Sequence, residues 1–189
     1  MTRRNQQGVT LIEVLVSIII VVIGLLGLAG LQARATLGEL EALQRAQALV
    51  LLQDMVDRIN SNRKASMDYV ATATEWGTPQ GVLPCSGTGA ARDLCEWSNA
   101  LNGAAESTGS INSGAMIGAR GCIVNTVPTM PRQFVISVVW QGTAATAAPT
   151  TTCGQGQFGN DALRRGLTAT VIIGCLQNTA PGVPTCVTP

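Results

Sequence analysis

From residue 14 to residue 31 the chain carries no charged side chain, and Ser17 is the only member of that run with a hydrogen-bonding side chain. These 18 residues, at about 1.5 Å per helical residue, cover roughly 27 Å, enough for a bilayer's hydrocarbon core. Beyond Leu31 the pattern becomes amphipathic. Residues 32–48 are dominated by the helix formers Ala, Leu, Gln, Glu and Arg. Leu49, Leu52, Val56 and Ile59 then follow the i, i+3, i+7, i+10 spacing of one helical face, with Asp54, Asp57, Arg58 and Arg63 mostly on the other. The pattern predicts one nearly continuous helix from about Thr10 to Asn62, roughly 80 Å long. Gly24, Gly27, Gly30 and Gly38 interrupt it, each costing up to about 1 kcal/mol relative to alanine. Two readings stay open for them: close packing of neighbouring helices, or local weakening that lets the helix partly unwind.

After residue 62 the period changes. Residues 62–89, with Tyr69 and Trp76, read as loop with a little helix, and residues 92–101 as a short helix bearing Cys95 and Trp97. Residues 102–118 are rich in Gly, Ser, Ala and Asn and predict a surface loop. Three strands follow, at 121–127, 133–140 and 166–175, the second with the clearest alternation. Pro128 and Pro131 mark a hairpin connection, and the low-complexity stretch 142–152 links the second and third strands. The expected fold class is α+β: a long N-terminal helical spine packed against a small antiparallel sheet. The expected segments are residues 1–8, 9–31, 32–62 and 63–189: a short leader, an apolar half-helix, an amphipathic half-helix and a globular domain.

Composition sharpens this picture. A net charge of +1 over 189 residues suggests neither a basic nucleic-acid binder nor an acidic tail. Two Phe, one Tyr and three Trp make a thin core, so the domain would gain from covalent staples. Six cysteines, Cys85, Cys95, Cys122, Cys153, Cys175 and Cys186, all lie in its part of the chain. Histidine is absent and no Cys-x-x-Cys occurs, so a zinc site or a thiol nucleophile has no support, and no metal or cofactor is expected. An even number of dispersed cysteines reads as disulfides formed in an oxidising compartment. Neighbour pairing (Cys85–Cys95, Cys122–Cys153, Cys175–Cys186) is preferred, with a Cys122–Cys175 bridge across strands as the rival.

The remaining chemistry of the domain is sparse. Two glycine loops, at 87–89 and 154–156, lack the Lys-Ser/Thr and the strand-to-helix context of a phosphate loop. Asp68, Glu75, Asp93 and Glu96 form no paired-carboxylate motif and are expected to be solvated. Arg164 and Arg165, a basic pair just before the third strand, are expected in an exposed turn. No nucleophile–base set occurs, so an enzyme is not expected.

At the other end, a short leader with Arg3 and Arg4 ends in Gly8, and the apolar run begins directly after it. A conventional signal peptide is cut after its apolar region, at small residues; here no such exit exists, so the segment is retained. The arginines place the N-terminus in the cytoplasm, which puts the cysteines on the oxidising side. Glu13 stands at the edge of the span, where a carboxylate costs a few kcal/mol unless interfacial, protonated or paired. Snorkelling to the headgroups is one reading. Cleavage after Gly8 offers another, since it would put a new α-amine on Val9, four residues and one helical turn from Glu13.

The run Gly8-Val9-Thr10-Leu11-Ile12-Glu13-Val14-Leu15-Val16 resembles the class III signal of type IV pilins and type II secretion pseudopilins. That resemblance implies cleavage by prepilin peptidase after Gly8, N-methylation of Val9 and an assembly role for Glu13. Val9 departs from the pattern, where Phe is usual. Residues 24–32, the run Asp57-Arg58-Ile59-Asn60-Ser61-Asn62-Arg63 and the downstream Asp93-Leu94-Cys95-Glu96-Trp97 resemble the PilV-type minor pilins. The resemblance implies a minor pilin for pilus assembly or initiation. Its partners would be prepilin peptidase, other minor pilins, the major pilin and the inner-membrane assembly platform. The chain would first sit in inner-membrane lipid with its domain in the periplasm, and later in the pilus. The alternatives are a type II secretion minor pseudopilin, or a tip module for adhesion or DNA binding. Because some minor pilins take part in DNA uptake, Arg164 and Arg165 are the candidate contacts for the last, although two arginines are few for phosphate affinity.

Overall fold

The computed structural model describes residues 8, 10–70, 75–78, 81–104, 107–108, 111–112, 116–174, 176–177 and 186–187. Helix α1 occupies Leu11–Ser61 and passes through all four of its glycines without a break. The chain divides into two units, Met1–Leu40 and Glu41–Pro189. In the first, every described residue is exposed.

The second unit begins inside α1 and is built on its last turns. There Gln44, Ala48, Leu52, Met55 and Ile59 are buried, a stripe spaced by three or four residues. It differs from the expected face: Leu52 and Ile59 belong to it, but Leu49 is 50% exposed and Val56 only partly buried. The sequence around residue 50 is apolar on several sides, so periodicity alone admits neighbouring faces. What fixes the choice is the packing of a second helix against the Leu51 backbone, described below.

A 3-10 segment, Arg63–Tyr69, follows, buries Tyr69, and leads to strand β1, Trp76–Gly77. Helix α2, Ala90–Leu101, starts after Gly89 and buries Leu94, Trp97, Ser98 and Leu101 on one side. Two short antiparallel strands, β2 (Ser107–Thr108) and β3 (Ile111–Asn112), lie where a plain loop was expected. Strands β4 (Ile117–Val127), β5 (Arg132–Gln141) and β6 (Arg164–Ile173) are the expected three, with β4 and β6 beginning a few residues early. Gly118, at φ +61°, and an irregular register between Ile117 and Arg120 allow the early start of β4. Two-residue strands β7 (Leu176–Gln177) and β8 (Cys186–Val187) pair near the C-terminus.

The main sheet has four antiparallel strands in the order β1-β4-β5-β6. Its edge strand β1 is too short to leave a periodic signal. Alternation sends Ile123, Phe134, Ile136, Val138, Trp140 and Val171 into the core shared with α1 and α2. On the opposite face Cys122, Val139, Cys153 and Phe158 form a second, smaller cluster.

Trp97 is the centre of the main core. It is wholly buried, and its indole N–H donates to the Leu51 carbonyl of α1 at 2.8 Å. The sheet makes room for its ring at Gly121, where an added Cβ would lie 2.1 Å from Trp97 Cη2. Cys85 and Cys95 are bonded, tying the segment before α2 to the helix. Cys122 is bonded to Cys153, tying β4 to the loop between β5 and β6, so no bridge joins Cys122 to Cys175. Cys175 and the side chain of Cys186 lie outside the described residues.

Two predictions follow from this core. Gly121→Ala forces a methyl group into a fully buried indole, an overpacking expected to cost about 1–3 kcal/mol or more. Thermal unfolding of the full chain in detergent should show a Tm lower by roughly 5–10 °C, and an unchanged Tm would contradict the packing described. Replacing the Cys122–Cys153 pair by serines, a bridge spanning 31 residues, should destabilise more than replacing Cys85–Cys95, which spans 10. Chain-entropy arguments give about 4 against about 3 kcal/mol. The reverse order in denaturant titrations would refute the loop-entropy origin.

Candidate assembly site

Gly8 is exposed, and Val9, Arg3 and Arg4 lie outside the described residues. Thr10 directly precedes α1, and its carbonyl accepts from the backbone N–H of Glu13 at 3.1 Å and of Val14 at 3.4 Å. Glu13 therefore falls in the first helical turn, where the unsatisfied N–H groups and the helix dipole favour a negative charge. Its own carbonyl accepts from the Ser17 hydroxyl at 2.7 Å, so the one polar side chain of the apolar stretch is turned back onto the backbone. The Glu13 carboxylate makes no hydrogen bond or ion pair with the described residues, unlike Glu41, Glu75 and Glu96, which each meet an arginine.

Around it the helix surface is apolar on every side. Leu11, Ile12, Leu15, Ile18, Ile20, Ile23, Leu26 and Leu31 are all at least half exposed. This helix is long and apolar enough to cross a membrane by length and composition. A methyl group added at Gly24, Gly27, Gly30 or Gly38 would meet nothing within 4 Å among the described residues, so no contact with them explains these glycines. Such a surface is the kind that lipid or other protein covers.

In the second unit the two sequence runs singled out earlier meet. Arg58 Nε lies 3.0 Å from both Asp54 oxygens, and Arg58 Nη1 reaches Asp93 at 3.0 Å and Glu96 at 2.9 Å. Arg92 closes on the far oxygen of Glu96 at 2.7 Å. Tyr69 donates its hydroxyl proton to Asp93, and burial together with that carboxylate pushes the phenol up to about 12. Burial works against the Arg58 charge, but Glu96, Asp54 and Asp93 more than offset it and hold the guanidinium protonated more firmly than usual. Asp93 and Glu96 were expected to be solvated; they are instead the α2 half of a clamp whose α1 half is Arg58. Glu75 departs from that expectation too, accepting from Arg120 at 2.7 Å and from the Gly154 N–H at 3.0 Å.

Arg164 and Arg165 correct another expectation. Arg164 is 1% exposed; it pairs with Asp161 at 2.7 Å and donates to the carbonyls of Pro149, Thr151 and Cys153. Arg165 pairs with Glu41 at 3.2 Å and donates to the carbonyls of Ala144 and Ala162. The loop between β5 and β6 folds back over both, so neither forms an exposed basic turn. Among the described residues no group of His, Cys, Asp and Glu side chains could hold a metal ion.

Comparison with known families gives two adjoining matches. Residues 3–29 match the prokaryotic N-terminal methylation motif, which takes in Gly8, Val9 and Glu13. Residues 30–100 match the type IV pilin Tt1218 family, which takes in the Arg58 clamp and all of α2 but its last residue. No curated protein and no solved structure is a significant match. A methylation motif opening a bare apolar helix, continued by a type IV pilin family match that ends at residue 100, before the long strands of the sheet, makes the chain type IV pilin-like over residues 3–100.

Proposed function

We propose that this chain is the precursor of a minor pilin, of the PilV type, that takes part in type IV pilus assembly and initiation. Prepilin peptidase cuts after Gly8, and the new amino terminus on Val9 is N-methylated. The leader arginines Arg3 and Arg4 keep the N-terminus in the cytoplasm, α1 crosses the inner membrane once, and the disulfide-bonded head faces the periplasm. From there the mature subunit joins other minor pilins and the major pilin through the assembly platform. This is a structural role, as befits the family.

One observation carries this reading: from residue 14 to residue 31 α1 is exposed and apolar on every side, and Glu13, in its first turn just behind Gly8, has no partner among the described residues. Exposed large apolar side chains are each worth about 1.5–3 kcal/mol on burial from water, so so long a series needs a cover. Glu13 supplies what apolar contact lacks, a single position for a positive partner. The α-amine of a neighbouring subunit's Val9 meets that need, and the pair would neutralise both charges inside a filament core. The DNA-binding alternative loses its motivating residues, because Arg164 and Arg165 are engaged within the head.

Mass spectrometry of the protein recovered from membranes tests the processing: the expected species lacks Met1 to Gly8 and carries one added methyl group. An intact Met1 refutes it. Glu13→Gln tests assembly separately. Membrane insertion should be unchanged, while incorporation into pili should fall well over tenfold, since breaking a buried charge pair costs about 3–5 kcal/mol. Undiminished incorporation would remove Glu13 from the assembly mechanism.

A further inference from the structure

The main sheet ends at β6, and among the described residues one side of that strand is unpaired: β6 pairs with β5 alone, and β7 pairs with β8. The phase of the ladder follows from the Gly142 N–H, which donates at 2.8 Å to the Leu163 carbonyl, one step beyond the Gln141–Arg164 pair. Main-chain groups alternate from there. Leu167, Ala169, Val171 and Ile173 turn theirs to β5, and Thr168, Thr170 and Ile172 turn theirs outward. The β5–β6 loop covers only the start of this edge, where the Thr146 N–H donates to the Ala162 carbonyl and Pro149 lies 3.3 Å from a Cβ placed on Gly166. No described residue bonds the outward groups beyond it. Such an edge is a template for another strand, and edges are ordinarily guarded by charge, proline or a bulge. Residues 166–173 hold no charge and no proline, and their register with β5 is unbroken.

The helix beside this edge is only half covered. Arg45 borders the same cavity as Gly166 and Leu167, and Arg63 Nη2 lies 3.9 Å from a Cβ placed on Gly174. The last turns of α1 therefore follow β6 in the same direction, and the two spans agree, at about 27 Å of helix and about 26 Å of strand. Arg45, Leu49, Val56 and Arg63 fall within roughly 40° of one another around the helix axis, so Leu49 and Val56 stand on the side that follows β6. Leu49 is 50% exposed, and Val56, Leu167 and Ala169 are only partly buried against the core. The apolar face of the helix is thus wider than the sheet, and its uncovered part lies beside the bare edge. At the two ends of that part, neither Arg45 nor Arg63 has a side-chain hydrogen bond or ion pair among the described residues, and Arg63 Nε is buried without one.

We propose that a strand of another protein pairs with β6 along residues 167–173, with alternate apolar side chains turned to Leu49, Val56, Leu167 and Ala169 and an acidic residue at each end. Main-chain bonds to Thr168, Thr170 and Ile172 require an extended segment, and the apolar flank selects its alternate side chains. Charge complementarity to Arg45 and Arg63 selects its ends. A second copy of this chain fits worse. Antiparallel pairing of two β6 edges would bring Arg45 of one copy toward Arg63 of the other, like charges at both ends. The edge lies apart from residues 14–31, so this pairing can fail while assembly through the apolar helix stands, and the reverse.

The test follows amide hydrogen exchange in the full chain in detergent micelles. The probe is acetyl-Glu-Val-Thr-Val-Thr-Val-Glu-amide, and its control has Lys in place of both Glu. In the free chain the amides of Thr168, Thr170 and Ile172 should exchange at least tenfold faster than those of Leu167, Ala169 and Val171. The Glu peptide should slow them at least tenfold and saturably, and the Lys peptide should bind at least tenfold more weakly. Thr170→Pro, which removes an outward N–H that an edge strand can spare, should abolish the effect. Leu49→Ser, at a half-exposed position, should weaken it severalfold with exchange at Leu167 unchanged, and it decides the matter if the proline variant does not fold. Equal binding of the two peptides, no saturable slowing, or slowing undiminished by Leu49→Ser or Thr170→Pro would overturn the proposal. Outward amides already slow in the dilute free chain would show the edge covered from within. Slowing that grows with chain concentration alone would show a second copy, and either result overturns the assignment to another protein.

Discussion

A helix that is apolar around its whole circumference is not stable in water, and the rest of this protein follows from how that surface is covered. Lipid covers it without specificity. Other helices cover it no better in hydrophobic terms, because lipid tails are as apolar as leucine. Exchange of lipid for protein therefore depends on close packing and on polar groups that lipid cannot satisfy. The first turn of α1 holds one such group, Glu13, with the helix dipole in its favour and no partner among the described residues. A carboxylate at the margin of a membrane is tolerable; the same carboxylate deep in an apolar assembly costs several kcal/mol unless a cation meets it. On the proposed reading, the cut after Gly8 creates that cation one turn away. Processing and assembly then become one electrostatic step, and the apolar surface supplies contact area while Glu13 supplies position.

The head meets the opposite difficulty, too little apolar bulk. It has few aromatic side chains, and it uses them at points where other forces can fix them. Trp97 enters a space that exists only because residue 121 is glycine, and its N–H is bound to the α1 backbone. Around the same helix pair, Arg58 gathers carboxylates from α1 and α2, and Tyr69 adds a hydroxyl to Asp93. Charged groups that are half buried and mutually bonded hold one geometry, where apolar contact alone would allow sliding. Two disulfides then close loops that the small core could not hold by burial.

Much of this was legible in the sequence. The helix, the short helix bearing Trp97 and the three long strands were readable because each repeats its own period over seven or more residues. The run from Gly8 to Glu13 was readable because its chemistry is local. Features that depend on distant parts of the chain were not. Leu49 looks as apolar as Leu52, and only the docking of α2 on Leu51 separates them. Trp76 and Gly77 form a strand solely because β4 lies beside them. Arg164 and Arg165 read as an exposed pair until the β5–β6 loop returns carbonyls to them. Asp93 and Glu96, one turn apart on α2, showed their role only once Arg58 arrived from 35 residues upstream of Asp93. A signal was present there, since both runs had been singled out, but sequence does not say that two conspicuous runs touch.

The glycines show the same division between what the chain does for itself and what it leaves to neighbours. At Gly121 and Gly142 an alanine would collide with Trp97 and Arg165, so the reason for glycine lies inside the subunit. At Gly24, Gly27, Gly30 and Gly38 an alanine would touch nothing, and α1 stays helical through all of them despite a cost of up to about 1 kcal/mol each. Their reason is therefore not a contact with the described residues. Either another helix comes close enough to exclude a methyl group, or the helix must loosen at these points when its surroundings change. Both answers require a second molecule, and both place it on the surface that Glu13 opens.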